Sequence, residues 1–154
     1  MSEYFTVVIP SDPSATLPGS AESLRAALHQ FAGGDASRVK DYGKLQFIDC
    51  GDTPRRIVCP NCHAEIPPTV WQAWMAEDWH AEDGFHLHSH PAPCCSSATT
   101  LGMLSYEPMQ GFATWIVSAR CVEGQTLSST AVAELEALAG MKLKVIDQTY
   151  RVQG

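Results

Sequence analysis

Cys59-Pro60-Asn61-Cys62 and the doublet Cys94-Cys95 are the residues of this chain best placed to do chemistry. Two cysteines two residues apart turn their sulfurs toward one centre, and a second segment can close a tetrahedral shell around Zn²⁺ with thiolates at ~2.3 Å. Thirty-one residues separate Cys62 from Cys94, room for a helix and a strand, so the ion would close a large loop. Adjacent cysteines reach one ion only where the backbone turns sharply, and Pro91 and Pro93 supply such a backbone. If one sulfur falls short, His90 or His63 is the alternative fourth ligand. The expectation is a structural Zn²⁺ on Cys59, Cys62 and at least one of Cys94 and Cys95. The competing expectation is buried free thiols or a redox pair. A thioredoxin-like C-x-x-C opens a helix directly after a strand, however, and has no use for a downstream doublet. Cys50 and Cys121 each end a predicted strand and read as core thiols.

His86, His88 and His90 fall at i, i+2 and i+4, which on a strand puts three imidazoles on one face. Such a face is either solvated or an accessory metal site. Three histidines with an open position are also the ligand set of a catalytic zinc. His88-Ser89-His90-Pro91 resembles the H-S-H-P core of the JAMM/MPN metallo-isopeptidases, which need an Asp about ten residues on as third ligand and an upstream Glu as base. After His90 the first carboxylate is Glu107 and the first Asp is Asp147, so the third ligand is missing. Trp71, Trp74, Met75 and Trp79 recur at helical spacing. They read as a stripe covering the zinc unit or docking it on the main sheet, with an exposed partner-binding patch as the alternative. Glu77, Asp78, Glu82 and Asp83 form an acidic cluster, a solvated surface that also suits a basic partner. No P-loop and no G-x-S-x-G is present.

The elements that must position these groups follow from periodicity. Residues 4–10 are short, β-branched and aromatic, and predict a strand ended by Pro10. Ser20 is the predicted cap of a helix over 21–31 with Leu24, Leu28 and Phe31 as its stripe and Gly33 as its stop. Residues 44–50 predict a second strand. The order repeats with a strand at 111–121, a helix capped by Ser128 or Ser129 with the stripe Val132, Leu135 and Leu138, and a closing strand at 141–149. Two βαβ halves predict an α+β, ferredoxin-like sandwich formed by 1–50 and 111–154. Residues 51–110 form an inserted zinc-ribbon-like unit. It should carry a helix from Pro67 or Pro68 to about His80, a short strand over 84–90, and a Thr-capped turn or short helix near 99–105.

A chain of 154 residues with 45% hydrophobic and 18% charged residues can bury one real core. The net charge of −7 and the scattering of its ten basic residues argue against nucleic acid as a partner. Met1-Ser2-Glu3-Tyr4 lacks the basic start and apolar run of a signal peptide, and no stretch approaches 18 apolar residues. A reducing, cytoplasmic setting without membrane attachment is therefore expected, with the cysteines as thiols or metal ligands.

Five segments taken together are similar to a family of small bacterial proteins of no assigned activity. They are Val7 to Pro13 (V-V-I-P-x-D-P), Phe47 to Gly51 (F-x-D-C-G), Cys59 to Cys62 (C-P-x-C), Pro93 to Cys95 (P-C-C) and Leu104 to Ala113 (L-x-Y-x-x-x-x-G-F-A). The resemblance implies that all four cysteines, 59, 62, 94 and 95, form the metal set. Zinc knuckles usually carry Gly after the second Cys, where this chain has His63. The function expected is a non-enzymatic, zinc-stabilised module that binds another protein, with toxin-neutralising immunity proteins as one class of this size, charge and location. The alternative is a zinc-dependent hydrolase using His86, His88 and His90.

Overall fold

The structure, a computed structural model, describes residues 2–151. In chain order its elements are strand β1 (Ser2–Pro10), helix α1 (Ala21–Ala32), strands β2 (Gly33–Ile48) and β3 (Arg56–Val58), helix α2 (Pro68–Asp78), strands β4 (His90–Pro91), β5 (Ala98–Thr99), β6 (Ser105–Glu107) and β7 (Gly111–Cys121), helix α3 (Ser129–Ala139) and strand β8 (Leu143–Arg151). Single 3₁₀ turns occupy Ala81–Asp83 and Leu101–Met103. This is an α+β protein.

Four strands form one sheet in the order β2-β7-β1-β8, every neighbouring pair antiparallel. β1 is central, and Val7, Val8 and Ile9 are all fully buried. An unbroken apolar run suits a strand covered on both faces. On one face Val8, Trp115, Val117 and Ala119 pack against Leu24, Leu28 and Ala32 of α1 and Leu135 and Ala139 of α3. On the other, Val7, Ile9, Ile116 and Ile146 gather with Ile48 and Cys50. Gly33 and Gly140 end their helices in the left-handed conformation, at φ +72° and +70°, as stop residues should.

Several expectations need correction. Ser20 makes no side-chain cap; its hydroxyl donates to the Leu138 carbonyl at 2.6 Å and ties α1 to α3 instead. Ser128 does cap α3, accepting from the Ala131 N–H at 3.1 Å. The buried stripe of α3 is Ala131, Leu135 and Ala139, with Leu138 exposed. Small residues let α3 lie close to α1, and the larger Leu138 is turned outward. β2 begins directly at Gly33, well before residue 44, with register shifts between Gly33 and Ser37 and between Asp41 and Gln46.

Residues between β2 and β7 build a second buried cluster of Ile57, Cys59, Ile66, Trp71, Leu101, Leu104 and Tyr106, joined by Phe112 of β7. Phe47 of β2 meets the rings of Trp71, Tyr106 and Phe112 at 5.7, 5.6 and 5.0 Å. Core aromatic residues thus come from both sides of the segment's junctions. Trp71 donates to the Tyr106 hydroxyl at 3.1 Å, which donates onward to the Leu101 carbonyl at 2.7 Å, so both polar atoms in this core are satisfied. β3 forms a ladder with β6 and β4 one with β5, each of two or three residues, and Val58 of β3 adds an isolated bridge to Glu65.

α2 ends at Asp78 rather than His80, because Trp79 is extended and the His80 N–H turns to the Gly84 carbonyl at 2.9 Å. The strand expected over 84–90 is absent. Gly84 and Phe85 make only isolated bridges, to Leu45 and Trp79, and Leu87 adopts φ +56°. Gly84 sits at φ +77°, and a Cβ there would lie 2.4 Å from the Leu45 carbonyl oxygen. Only glycine lets this turn close on β2.

Candidate metal centre

Two turns face each other in the cysteine-bearing segment. In the first, at the end of β3, the Cys59 N–H donates to the Ala64 carbonyl at 2.9 Å and the His63 N–H to the Cys59 carbonyl at 3.0 Å. In the second, between β4 and β5, the Ala92 N–H donates to the Ser97 carbonyl at 2.9 Å and the Ser96 N–H to the Ala92 carbonyl at 2.8 Å. The spacings are identical, from position 1 to 6 and from 5 to 1. Each turn has Pro at position 2, and each puts position 5 in the left-handed region, His63 at φ +63° and Ser96 at +61°. His63 therefore adopts the conformation for which a knuckle ordinarily uses glycine.

Superposing the two turns position by position explains the doublet. Cys62 and Cys95 are equivalent, both at position 4. Cys59 at position 1 corresponds to buried Ala92, and the remaining ligand of the second turn has moved to position 3, as Cys94. Position 3 needs no extra backbone distortion, so neighbouring side chains reach one centre. The Cys59 and Cys95 sulfurs lie 3.8 Å apart and those of Cys62 and Cys94 3.2 Å, with all four within 4.8 Å of one another. A tetrahedron of thiolates around zinc has S···S edges of about 3.8 Å. Neither histidine alternative is used: among the described residues His63 and His90 belong to no such group.

The electrostatics fit a cation. The backbone N–H groups of Cys62 and then Asn61 point at the Cys59 sulfur and hold its thiol down to about 7. Cys94, beside the Cys62 sulfur and the other thiols, is pushed up to about 12. One thiolate forms readily, and further ones repel it at these distances unless a positive ion neutralises them. Cys59 is fully buried while Cys62 and Cys94 are exposed, so the centre sits at the rim of the second core. These four cysteines could hold a metal ion. Cys50 is buried and Cys121 half-buried, away from that shell.

The histidines do not assemble as His86, His88 and His90. His86 and His88 meet His80, which belongs to no motif in the sequence, and the ligand nitrogens of the three lie within 4.8 Å of one another. His90 is buried in β4 and stacks on Trp74, with centroids 4.6 Å apart and planes 11° from parallel. The missing strand is the reason: without it, residues 86 and 90 share no face. The Asp83-Gly84 dipeptide is the signal that could have found His80, because it marks a reversal that returns the chain past residue 80.

Asp78 shapes this turn. It was expected on an acidic surface, but its side chain is fully buried and accepts three consecutive backbone N–H groups. They come from His86 at 3.0 Å, Leu87 at 2.8 Å and His88 at 2.7 Å. Burial raises the Asp78 carboxyl, and the three donors together outweigh it, so the group stays below the usual carboxylate range. The same bonds hold Leu87 in a left-handed conformation that costs a branched residue about 1–2 kcal/mol. Glu77, Glu82 and Asp83 remain exposed. Of the tryptophans, Trp71 is in the core, Trp74 is half-buried and Trp79 is 40% exposed beside Phe85 and beneath the Lys44 ammonium.

No protein-family model, no curated protein and no solved structure matches the chain. Among the described residues no helix is long and apolar enough to cross a membrane.

Proposed function

We propose that this protein is a non-enzymatic binding module in which a structural Zn²⁺ on Cys59, Cys62, Cys94 and Cys95 holds a zinc-ribbon-like insert on a ferredoxin-like body. The observation that carries the reading is the convergence of four sulfurs from two turns with matching hydrogen bonds. Four protein ligands leave a tetrahedral ion no open position for substrate. The ferredoxin-like assignment is supported by the antiparallel order β2-β7-β1-β8 with α1 and α3 on one face.

The target would be a basic protein, and a toxin neutralised by its immunity protein is one such pair. Support comes from the −7 charge and from exposed Trp79 in a stretch of chain that also carries exposed Glu77, Glu82 and Asp83. Trp71 and Asp78 drop out of this surface because both are buried. A tagged chain should capture a basic protein from its own cell extract, with an on-rate that falls as salt rises and with capture lost in a Trp79→Ala/Glu77→Lys double variant. Capture unaffected by that variant would remove this surface, and a specific small-molecule ligand with no protein recovered would remove the reading itself.

The hydrolase alternative has less support. His90 is stacked in the core, and Asp78, the buried carboxylate that holds the histidine turn, is committed to three backbone donors.

A further inference from the structure

We propose that His80, His86 and His88 form a second metal site, separate from the cysteines, for an exchangeable divalent first-row transition ion. The Nε2 atoms of His80 and His88 approach to 3.1 Å, and a ligand nitrogen of His86 joins them within 4.8 Å. Three imidazoles on one tetrahedral ion have N···N edges of about 3.4 Å, so the nitrogens already stand near the spacing of a bound set, and the stacked His80 and His86 rings would turn out of parallel to aim at the ion. The His80 and His86 rings lie 22° from parallel at 3.9 Å, on the same side of the turn.

This juxtaposition is built by the backbone. His80 stands just past the end of α2, and its N–H bonds to the Gly84 carbonyl at 2.9 Å, which folds the chain back. Ala81 and Leu87, both non-glycine, take positive φ on the way out and on the way back, at +47° and +56°. Buried Asp78 grips residues 86 to 88 by three N–H groups and fixes the return arm that carries two of the ligands. Strain held in place by a buried carboxylate, with three metal-binding side chains converging on its far side, is how chains store the geometry of a site.

The donor set defines the ion. Imidazole nitrogens without a carboxylate favour Co²⁺, Ni²⁺, Cu²⁺ or Zn²⁺ over Mg²⁺ or Ca²⁺. All three histidines are exposed, which leaves the remaining positions to water and lets the ion exchange. The all-sulfur shell is softer and closed, so the two sites divide the chain's metal chemistry between a retained ion and a passing one.

The test is a Co²⁺ titration of the full chain after zinc loading and dialysis, followed by absorption. Cobalt on imidazole gives weak visible bands, whereas cobalt on thiolate adds intense near-ultraviolet charge transfer. One equivalent with visible bands and no new thiolate charge transfer is expected. It should be lost in His80→Gln and in His88→Ala and retained in His90→Phe. The two histidines to be removed are exposed, and an unchanged far-ultraviolet dichroism checks that those variants fold. Absence of that equivalent from the unsubstituted chain, or its persistence in both histidine variants, overturns the proposal. Failure of the cysteine site would show differently, as dialysed protein that retains no zinc while the imidazole bands still appear on adding cobalt.

Discussion

Asp78 and His90 show how far a side chain's role can depart from its chemical type. Asp78 lies in the most acidic stretch of the chain, yet it is withdrawn from solvent because three successive N–H groups in the 86–88 turn have no other partner. Removing the carboxylate strands those donors, so Asp78→Ala should lower the unfolding free energy by about 3 kcal/mol in a urea titration of zinc-loaded protein. A loss below about 0.5 kcal/mol would mean that water replaces the carboxylate and the turn is not held by it. His90 is the converse, a metal-type residue used for packing, with its buried Nε2 lacking any partner. His90→Phe keeps the stack on Trp74 and removes an unsatisfied atom, so stability should change by less than about 1.5 kcal/mol with bound zinc unchanged. Loss of zinc in this variant would place His90 back among the ligands. Neither assignment was legible in the sequence, because both hang on a left-handed Leu87 that no local pattern encodes.

Among the elements, legibility followed regularity. β1, α1 and the caps and stops of α3 could be read from apolar period and from Gly33, Ser128 and Gly140. Where an interior favoured small residues the reading slipped, as in α3, whose buried face is Ala131, Leu135 and Ala139 rather than its largest side chains. The first cysteine turn was legible from C-P-N-C. The second was obscured because its first position is Ala92, and only the shared hydrogen-bond pattern reveals that it is the same turn with a ligand moved to position 3. Residues 84–90 suggest a strand because their alternating histidines imitate one, whereas they belong to the turn that follows α2. Its anchor on β2 is Gly84, where a methyl group would meet the Leu45 carbonyl at 2.4 Å. Gly84→Ala should cost roughly 2 kcal/mol or more and raise amide exchange at Phe85, which donates to that same carbonyl. Unaltered exchange there would show that the turn is anchored elsewhere.

The whole molecule has two kinds of stability. The four-stranded sheet with α1 and α3 has long ladders and its own buried cluster. The insert has ladders of two and three residues, and its core relies on Phe47 and Phe112 from the body. Metal binding that supplies on the order of 10 kcal/mol would dominate so lightly paired a segment. Chelating the metal should therefore strip amide protection from Cys59, His63, Ala92 and Ser96 while β1 keeps its own, giving two separable transitions. A single transition in which β1 is lost together with the insert would show that body and insert fold only as one. The most direct measurement of the central claim is metal content with X-ray absorption on protein dialysed free of loosely held ions. One zinc per chain with four sulfur neighbours at about 2.3 Å is the predicted result. A folded chain that retains no metal, or a retained zinc with fewer than four sulfurs around it, would contradict it.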